Sequence, residues 1–101
     1  PYDWRLSLYH TDHMRRLHLL VERHHPIVIA HSMGGLVVQE YFRLHPQNMI
    51  YKFYAVGTPF KGVGGNLLKG FIKGYNMENP YLSLDVSKAI IRNSYSSYWL
   101  L

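Results

Sequence analysis

The spacing of apolar and polar residues predicts that the chain begins with an amphipathic helix. In the stretch TDHMRRLHLLVERHH at 11–25, most charged residues fall apart from one apolar face, which comprises Met14, Leu17, Leu20 and Val21. Proline lacks an amide hydrogen and clashes with the preceding turn. Pro26 is therefore expected to end this helix.

A strand, a second helix and a second strand are predicted next. The run IVIA at 27–30 is short, apolar and largely β-branched, a pattern typical of a strand covered on both faces. Helical spacing returns at 33–44 with a wide apolar arc, so this helix is predicted to be largely buried. Its narrow polar strip comprises Gln39, Glu40 and Arg43. The run YKFYAV at 51–56 is predicted to be a strand, and the crossover between the two strands favours parallel pairing in a right-handed unit.

The remaining third of the chain has a weaker pattern. A helix is predicted over 83–93, with Val86, Ala89 and Ile90 on one face. The glycine content of 61–80 gives no clear prediction of regular structure there.

Composition narrows the class of protein. With 101 residues, of which 48% are apolar and 17% charged, the chain has the composition of a globular protein and room for one domain at most. Cysteine is absent, which excludes disulfides and thiolate metal sites. The apolar runs are all shorter than a membrane span, and the start has no secretory-signal pattern.

The formal net charge is +5, and its excess is concentrated in one part of the chain. Lys52, Lys61, Lys69 and Lys73 follow one another with no acidic residue until Glu78. Such a run can attract an anionic surface such as phospholipid headgroups, or it can be an ordinary solvated face. The wide spacing favours the solvated face, and it argues against a nucleic-acid partner because no basic block is formed.

Histidines are frequent, but their spacing does not predict a metal site. His10 and His13 lack the i, i+4 spacing and the glutamate of a zinc-protease helix. His24 and His25 are sequence neighbours at a predicted helix end, where their rings point apart and interact favourably with the negative end of the helix dipole. Surface or capping roles are predicted for all four residues.

Ser32 is the strongest candidate for chemistry because it stands where the strand pattern changes to the helix pattern. A serine hydroxyl is a weak nucleophile, so an enzyme must expose it, place a base beside it and supply donors for the oxyanion. A sharp strand-to-helix turn exposes the serine and requires small residues two positions before and after it, here Ala30 and Gly34. The backbone N–H of Met33 is the expected first oxyanion donor. The alternative is a buried serine in an ordinary turn of small residues.

Four stretches of the sequence together resemble a known family. AHSMGG resembles the nucleophile elbow of α/β-hydrolases, and YDWR, GTPFKG and SYSSYWLL narrow the resemblance. Their order and spacing resemble the lecithin:cholesterol acyltransferase family, which includes phospholipid–sterol and phospholipid–diacylglycerol acyltransferases and lysosomal phospholipase A2. The resemblance covers nearly the whole chain. It implies a partial α/β-hydrolase fold, a parallel sheet segment with a strand–elbow–helix unit.

The resemblance also implies a reaction. Ser32 would take a fatty acyl group from a phospholipid and pass it to an alcohol, such as a sterol or diacylglycerol, or to water through an acyl-serine intermediate. The implied partners are the phospholipid, the acceptor alcohol and a membrane contacted peripherally, with no cofactor, metal or nucleic acid. A secreted, endomembrane or lysosomal location is implied by the resemblance alone. A general carboxylester lipase and a non-catalytic module that keeps the elbow as a scaffold remain alternatives.

The residues needed to complete a triad are not evident in the sequence. In this family the order along the chain is serine, acid, histidine. After Ser32 the one histidine is His45, which precedes Glu78 and Asp85 and lies about one helix length away. His31 belongs to the strand end and is expected to pack beside the site. We therefore expect residues 1–101 to be an internal fragment of a single α/β-hydrolase domain, poorly stable and inactive by itself.

Overall fold

A computed structural model describes residues 3, 5–8, 11–63, 83–94, 97 and 100. The described elements in chain order are α1 (Thr11–His24), β1 (Ile27–His31), α2 (Met33–Leu44), β2 (Lys52–Val56) and α3 (Leu84–Asn93). The chain divides into two compact units. Leu8–Phe60 forms most of the unit that contains both strands, and Asp3–Ser7 with Lys61–Leu101 forms most of the other.

The two strands pair in parallel, as the sequence predicts. Their register runs from Ile27 opposite Lys52 to His31 opposite Val56. Each strand differs by one residue from its predicted bounds, because β1 extends to His31 and β2 begins at Lys52. The helix α2 connects them, so the order strand, helix, strand is confirmed.

One face of this sheet is covered by α2. The rings of Phe42 and Phe53 pack edge to face with centroids 5.6 Å apart. Val28, Ala30 and Phe53 are half-buried on this side of the sheet. The apolar face of α2 thus partly covers alternate residues of β1 and Phe53 of β2, whereas Ala55 on the same face remains exposed.

The opposite face of the sheet is exposed, which corrects the prediction that the strand at 27–30 is covered on both faces. Ile27 is 56% exposed and Ile29 is 73% exposed. The exposed face comprises Ile27, Ile29, His31, Lys52, Tyr54 and Val56. The physical reason is that the connection through α2 covers one side of the strand pair, and the described residues place no element over the other side.

The helix α2 is largely buried, as predicted, but one of its polar residues is buried with the apolar ones. Glu40, which the sequence places on a polar strip, is only 4% exposed. Its carboxylate accepts hydrogen bonds from Arg43, with Nε 3.0 Å from both carboxylate oxygens and Nη2 2.6 Å from Oε1. A buried carboxylate needs such a partner because burial strips it of water. The exposed strip of α2 is therefore narrower than the pattern predicts.

The C-terminal end of α2 packs against α1 through an aromatic cluster. The His45 ring stacks on His18 at 4.3 Å and on Tyr41 at 4.6 Å between centroids. The Tyr41 hydroxyl lies 3.1 Å from Nδ1 of His18, within hydrogen-bonding distance. Burial lowers the pKa of His45, nearby His18 lowers it further, and Glu22 opposes the shift. Tyr41 is fully buried, and burial followed by the charge of Glu22 raises the pKa of its phenol.

In the other unit, α3 confirms the helix predicted over 83–93. Ser83 is its N-cap, and its Oγ accepts a hydrogen bond from the amide of Val86 at 3.3 Å. The glycine-rich stretch with no clear prediction lies, from residue 64 onward, outside the described residues. Within the part of the chain that is described, the helices are too short or too polar to cross a bilayer.

Candidate active site

Ser32 has a backbone conformation that few serines adopt. It follows β1 directly, precedes α2 directly, and has φ 54° and ψ −128°. Residues other than glycine avoid this region because the Cβ atom crowds the backbone, at a cost of about 1–3 kcal/mol. The strand therefore changes into a helix at one strained residue, and neighbouring contacts must hold it there.

Backbone hydrogen bonds supply two of those contacts. The amide of Ser32 donates to the carbonyl of Val56 at 2.9 Å, one step beyond the last residue pair of the sheet. The carbonyl of Ser32 accepts from the amide of Gly35 at 3.1 Å. Ser32 is thus bonded on one side to the end of β2 and on the other to the first turn of α2.

The small residues on either side of Ser32 meet across the turn. A Cβ atom built on Gly34 would lie 3.7 Å from the Cβ of Ala30, an ordinary van der Waals contact. The structure therefore brings together the two small residues that the sequence analysis singled out. A larger side chain at position 30 would press on the first turn of α2.

The side chain of Ser32 and the start of α2 are both available for chemistry. Ser32 is exposed, and its hydroxyl makes no capping hydrogen bond to the helix. Met33 and Gly34 are the first two residues of α2, so their amides have no acceptor within the helix. The first turn contains no acidic residue to neutralise the positive end of the helix. An exposed hydroxyl thus adjoins amides that can stabilise a developing negative charge.

The structure does not bring a histidine to the Ser32 hydroxyl within the described residues. His31 is exposed, and its Nε2 lies 3.9 Å from the position that a Cβ would take on Gly57. His45 caps the other end of the 12-residue helix α2, about 18 Å along its axis. Its ring is engaged in the aromatic cluster with His18 and Tyr41.

Sequence reasoning missed Thr58, which lies in the loop after β2 and contacts the first turn of α2. Its side chain occupies the space that a Cβ on Gly35 would need. Its Oγ1 is buried and has no hydrogen-bond partner among the described residues. Two signals could have pointed to this contact: the second glycine of AHSMGG, and a threonine two residues after the end of the parallel strand β2.

Among the residues that the structure describes, histidines and carboxylates do not gather in groups of three or more that could hold an ion.

The fold and the site together define the class of protein. Two parallel strands joined through a helix, with a strained, exposed serine at the strand-to-helix turn, form a small α/β unit. A sequence profile of the lecithin:cholesterol acyltransferase family matches residues 1–101. The chain belongs to the lecithin:cholesterol acyltransferase family. The family takes its name from the transfer of an acyl group from lecithin to cholesterol.

One curated relative is similar over part of the chain. The phospholipase A(1) LCAT3 of Arabidopsis thaliana is 36% identical over 50 residues, which cover 46% of this chain and 11% of that protein. The chain therefore corresponds to about a tenth of the length of this relative. No solved structure matches the chain.

Proposed function

We propose that Ser32 is the nucleophile of a serine-dependent O-acyltransferase or phospholipase, and that this chain is the part of its α/β-hydrolase domain around the nucleophile elbow. The observation that carries the proposal is the backbone of Ser32, with φ 54° and ψ −128° between a strand and a helix. Strained conformations of this kind are concentrated at functional sites. The exposed, uncapped hydroxyl supports the same role.

The proposed reaction has two stages. Oγ of Ser32 attacks an ester carbonyl of a glycerophospholipid, its proton passes to a base, and the amide of Met33 donates to the oxyanion that forms. Collapse of this intermediate breaks the ester bond, and the lysophospholipid leaves as an alcohol after taking up a proton. A sterol, a diacylglycerol or water then attacks acyl-Ser32, which releases the new ester or a fatty acid and regenerates the hydroxyl.

We propose that the base and its acidic partner come from elsewhere in the full-length protein to which this chain would belong. The position of His45 at the far end of α2 supports this arrangement, as does the His31 ring, whose Nε2 lies on the side of Gly57 where a Cβ would project. The second oxyanion donor would likewise come from another loop. Because its substrate is a lipid, the full-length protein would meet a membrane or another lipid surface peripherally.

A non-catalytic role is the second candidate. The observation in its favour is that, within the described residues, the hydroxyl of Ser32 has no histidine partner. In that case the strained turn would be a retained scaffold, and the chain would contribute to folding or binding without forming an acyl-enzyme.

The proposal is tested by incubating the full-length protein with vesicles of acyl-labelled phosphatidylcholine, with and without an acceptor alcohol. Transfer of label to the acceptor would identify an acyltransferase, and release of labelled fatty acid in both cases would identify a phospholipase. Either product should disappear in Ser32→Ala. Cleavage of soluble carboxylesters without attack on the phospholipid would point instead to a general carboxylester lipase.

A matched control comes from another serine of the chain. Ser83→Ala removes the N-cap of α3, which should cost about 1 kcal/mol of stability and leave the reaction intact. A folded wild-type protein that forms no product with any ester would contradict the proposal and favour the scaffold role.

A further inference from the structure

We infer that Thr58 is a positioning residue that fixes the first turn of α2, and with it Ser32, by packing against Gly35. The inference rests on the proposed function of Ser32. Thr58 is not proposed to contact the substrate. Its effect on the reaction passes through Gly35 and the peptide groups next to Ser32.

The contact between Thr58 and Gly35 is closer than a side chain at Gly35 would allow. A Cβ atom built on Gly35 would overlap Oγ1 of Thr58 and would lie 2.7 Å from its Cβ. In real proteins a Cβ atom essentially never comes within 3.0 Å of a non-bonded heavy atom from a residue elsewhere in the chain. Because the Cβ of Thr58 is bonded directly to its backbone, rotating the side chain cannot remove the overlap. Only glycine at position 35 permits this approach.

The segment after β2 therefore holds Ser32 from two sides. At Val56 the backbone carbonyl accepts the amide of Ser32 at 2.9 Å. Two residues later, Thr58 packs on Gly35, whose amide donates to the carbonyl of Ser32 at 3.1 Å. The strained residue thus lies between two contacts from one short segment, which prevents α2 from sliding along the sheet.

The volume of the Thr58 side chain is what matters here, and its hydroxyl contributes no hydrogen bond. Oγ1 is buried without a partner in the described part of the chain. Valine has the same shape and lacks the hydroxyl, so Thr58→Val should preserve the contact. Thr58→Ala would remove both branches and allow the first turn of α2 to move.

The test uses the full-length protein and a set of size-changing variants. Gly35→Ala should lower kcat and the rate at which a fluorophosphonate probe labels Ser32 by about 100-fold, since a displacement of about 1 Å can cost that much. KM for phosphatidylcholine should change little, because the substitution acts on the turn that orients the Ser32 hydroxyl. Thr58→Gly combined with Gly35→Ala should recover much of the lost rate by removing the overlap. Thr58→Val should behave as the conservative variant, and Thr58→Ala should react more slowly.

Thermal unfolding of the same variants separates the possible outcomes. The midpoint should drop in Gly35→Ala and rise again in the double variant, which would show that the two positions are coupled. Equal labelling of Gly35→Ala and wild type, or equal losses in Thr58→Val and Thr58→Ala, would overturn the inference. A folded wild type that never reacts with the probe would refute the proposed function instead. In that case the unfolding midpoints would still test the packing: if the effects of the substitutions at positions 35 and 58 simply add, the two residues are not coupled.

Discussion

At the scale of single residues, Ser32 combines an unfavourable backbone with an exposed side chain. Its positive φ places it among the few residues other than glycine with this conformation in the described chain. The two hydrogen bonds of its peptide groups and the close packing of Thr58 against Gly35 offset that cost locally. Under the proposed function, the strained backbone lowers the stability of the protein and in return orients the hydroxyl of Ser32.

Two substitutions of Ser32 should separate the conformational cost of its positive φ from the reactivity of its hydroxyl. Both Ser32→Gly and Ser32→Ala remove the hydroxyl, but glycine tolerates positive φ and alanine does not. Ser32→Gly should therefore be more stable than Ser32→Ala by about 1 kcal/mol, measured as the free energy of unfolding in denaturant. Both variants should be unreactive towards phosphatidylcholine. Equal stability of the two would show that the turn carries no strain.

At the scale of elements, periodicity predicts the helices and strands well, and it fails where a residue's partner decides its environment. The apolar arc of α2 and the strand on each side follow directly from residue types. Glu40 does not, because its burial depends on the guanidinium of Arg43 one turn away. The contact of Thr58 with Gly35 was equally hidden, since it joins residues far apart in sequence through shape alone.

The packing of α1 on α2 should make stability depend on pH. The pKa of His45 is lowered from its ordinary value of 6.5 by burial and by His18, despite the opposing charge of Glu22. The unfolded chain therefore binds a proton at His45 more readily than the folded chain does. The stabilisation that neutral His45 contributes to the free energy of unfolding should be complete above about pH 6.5. It should be lost as the pH falls below that value.

The variant His45→Phe identifies the titrating group. Phenylalanine keeps a ring to stack on Tyr41 and His18 and cannot take up a proton. The free energy of unfolding, measured between pH 5 and pH 7.5, should vary less with pH in this variant than in wild type. Identical pH profiles would rule out His45 as the source of the pH dependence.

At the scale of the whole molecule, the sequence predicts the parallel strand pair and the family, and the structure corrects the expectation that the sheet is covered on both faces. Apolar runs signal that a strand prefers burial, but they do not specify which segment provides it. Ile29 satisfies the pattern of a doubly covered strand and is nevertheless 73% exposed. The candidate site follows the same rule: residue types at 27–35 encode the turn, but they do not encode the partner that the proposed function requires for the Ser32 hydroxyl.

The 101-residue chain by itself should not react with a fluorophosphonate probe. The probe labels activated serines, and the described histidines near the sheet, His31 and His45, are not hydrogen-bonded to Ser32. The full-length protein should be labelled under the same conditions, and its Ser32→Ala variant should not. Labelling of the short chain that is abolished by Ser32→Ala would place a base within these residues and would revise the roles given to both histidines.

The exposed apolar face of the sheet has a calorimetric consequence. Surface that already lies in water in the native state, such as that of Ile27, Ile29 and Tyr54, adds little to the surface gained on unfolding. The heat-capacity change and the denaturant dependence of unfolding both scale with that gain. For the 101-residue chain we therefore expect a heat-capacity increment below the usual value of about 12–15 cal/mol/K per residue. Its melting would spread over a wide temperature range, and its stability curve would be nearly flat.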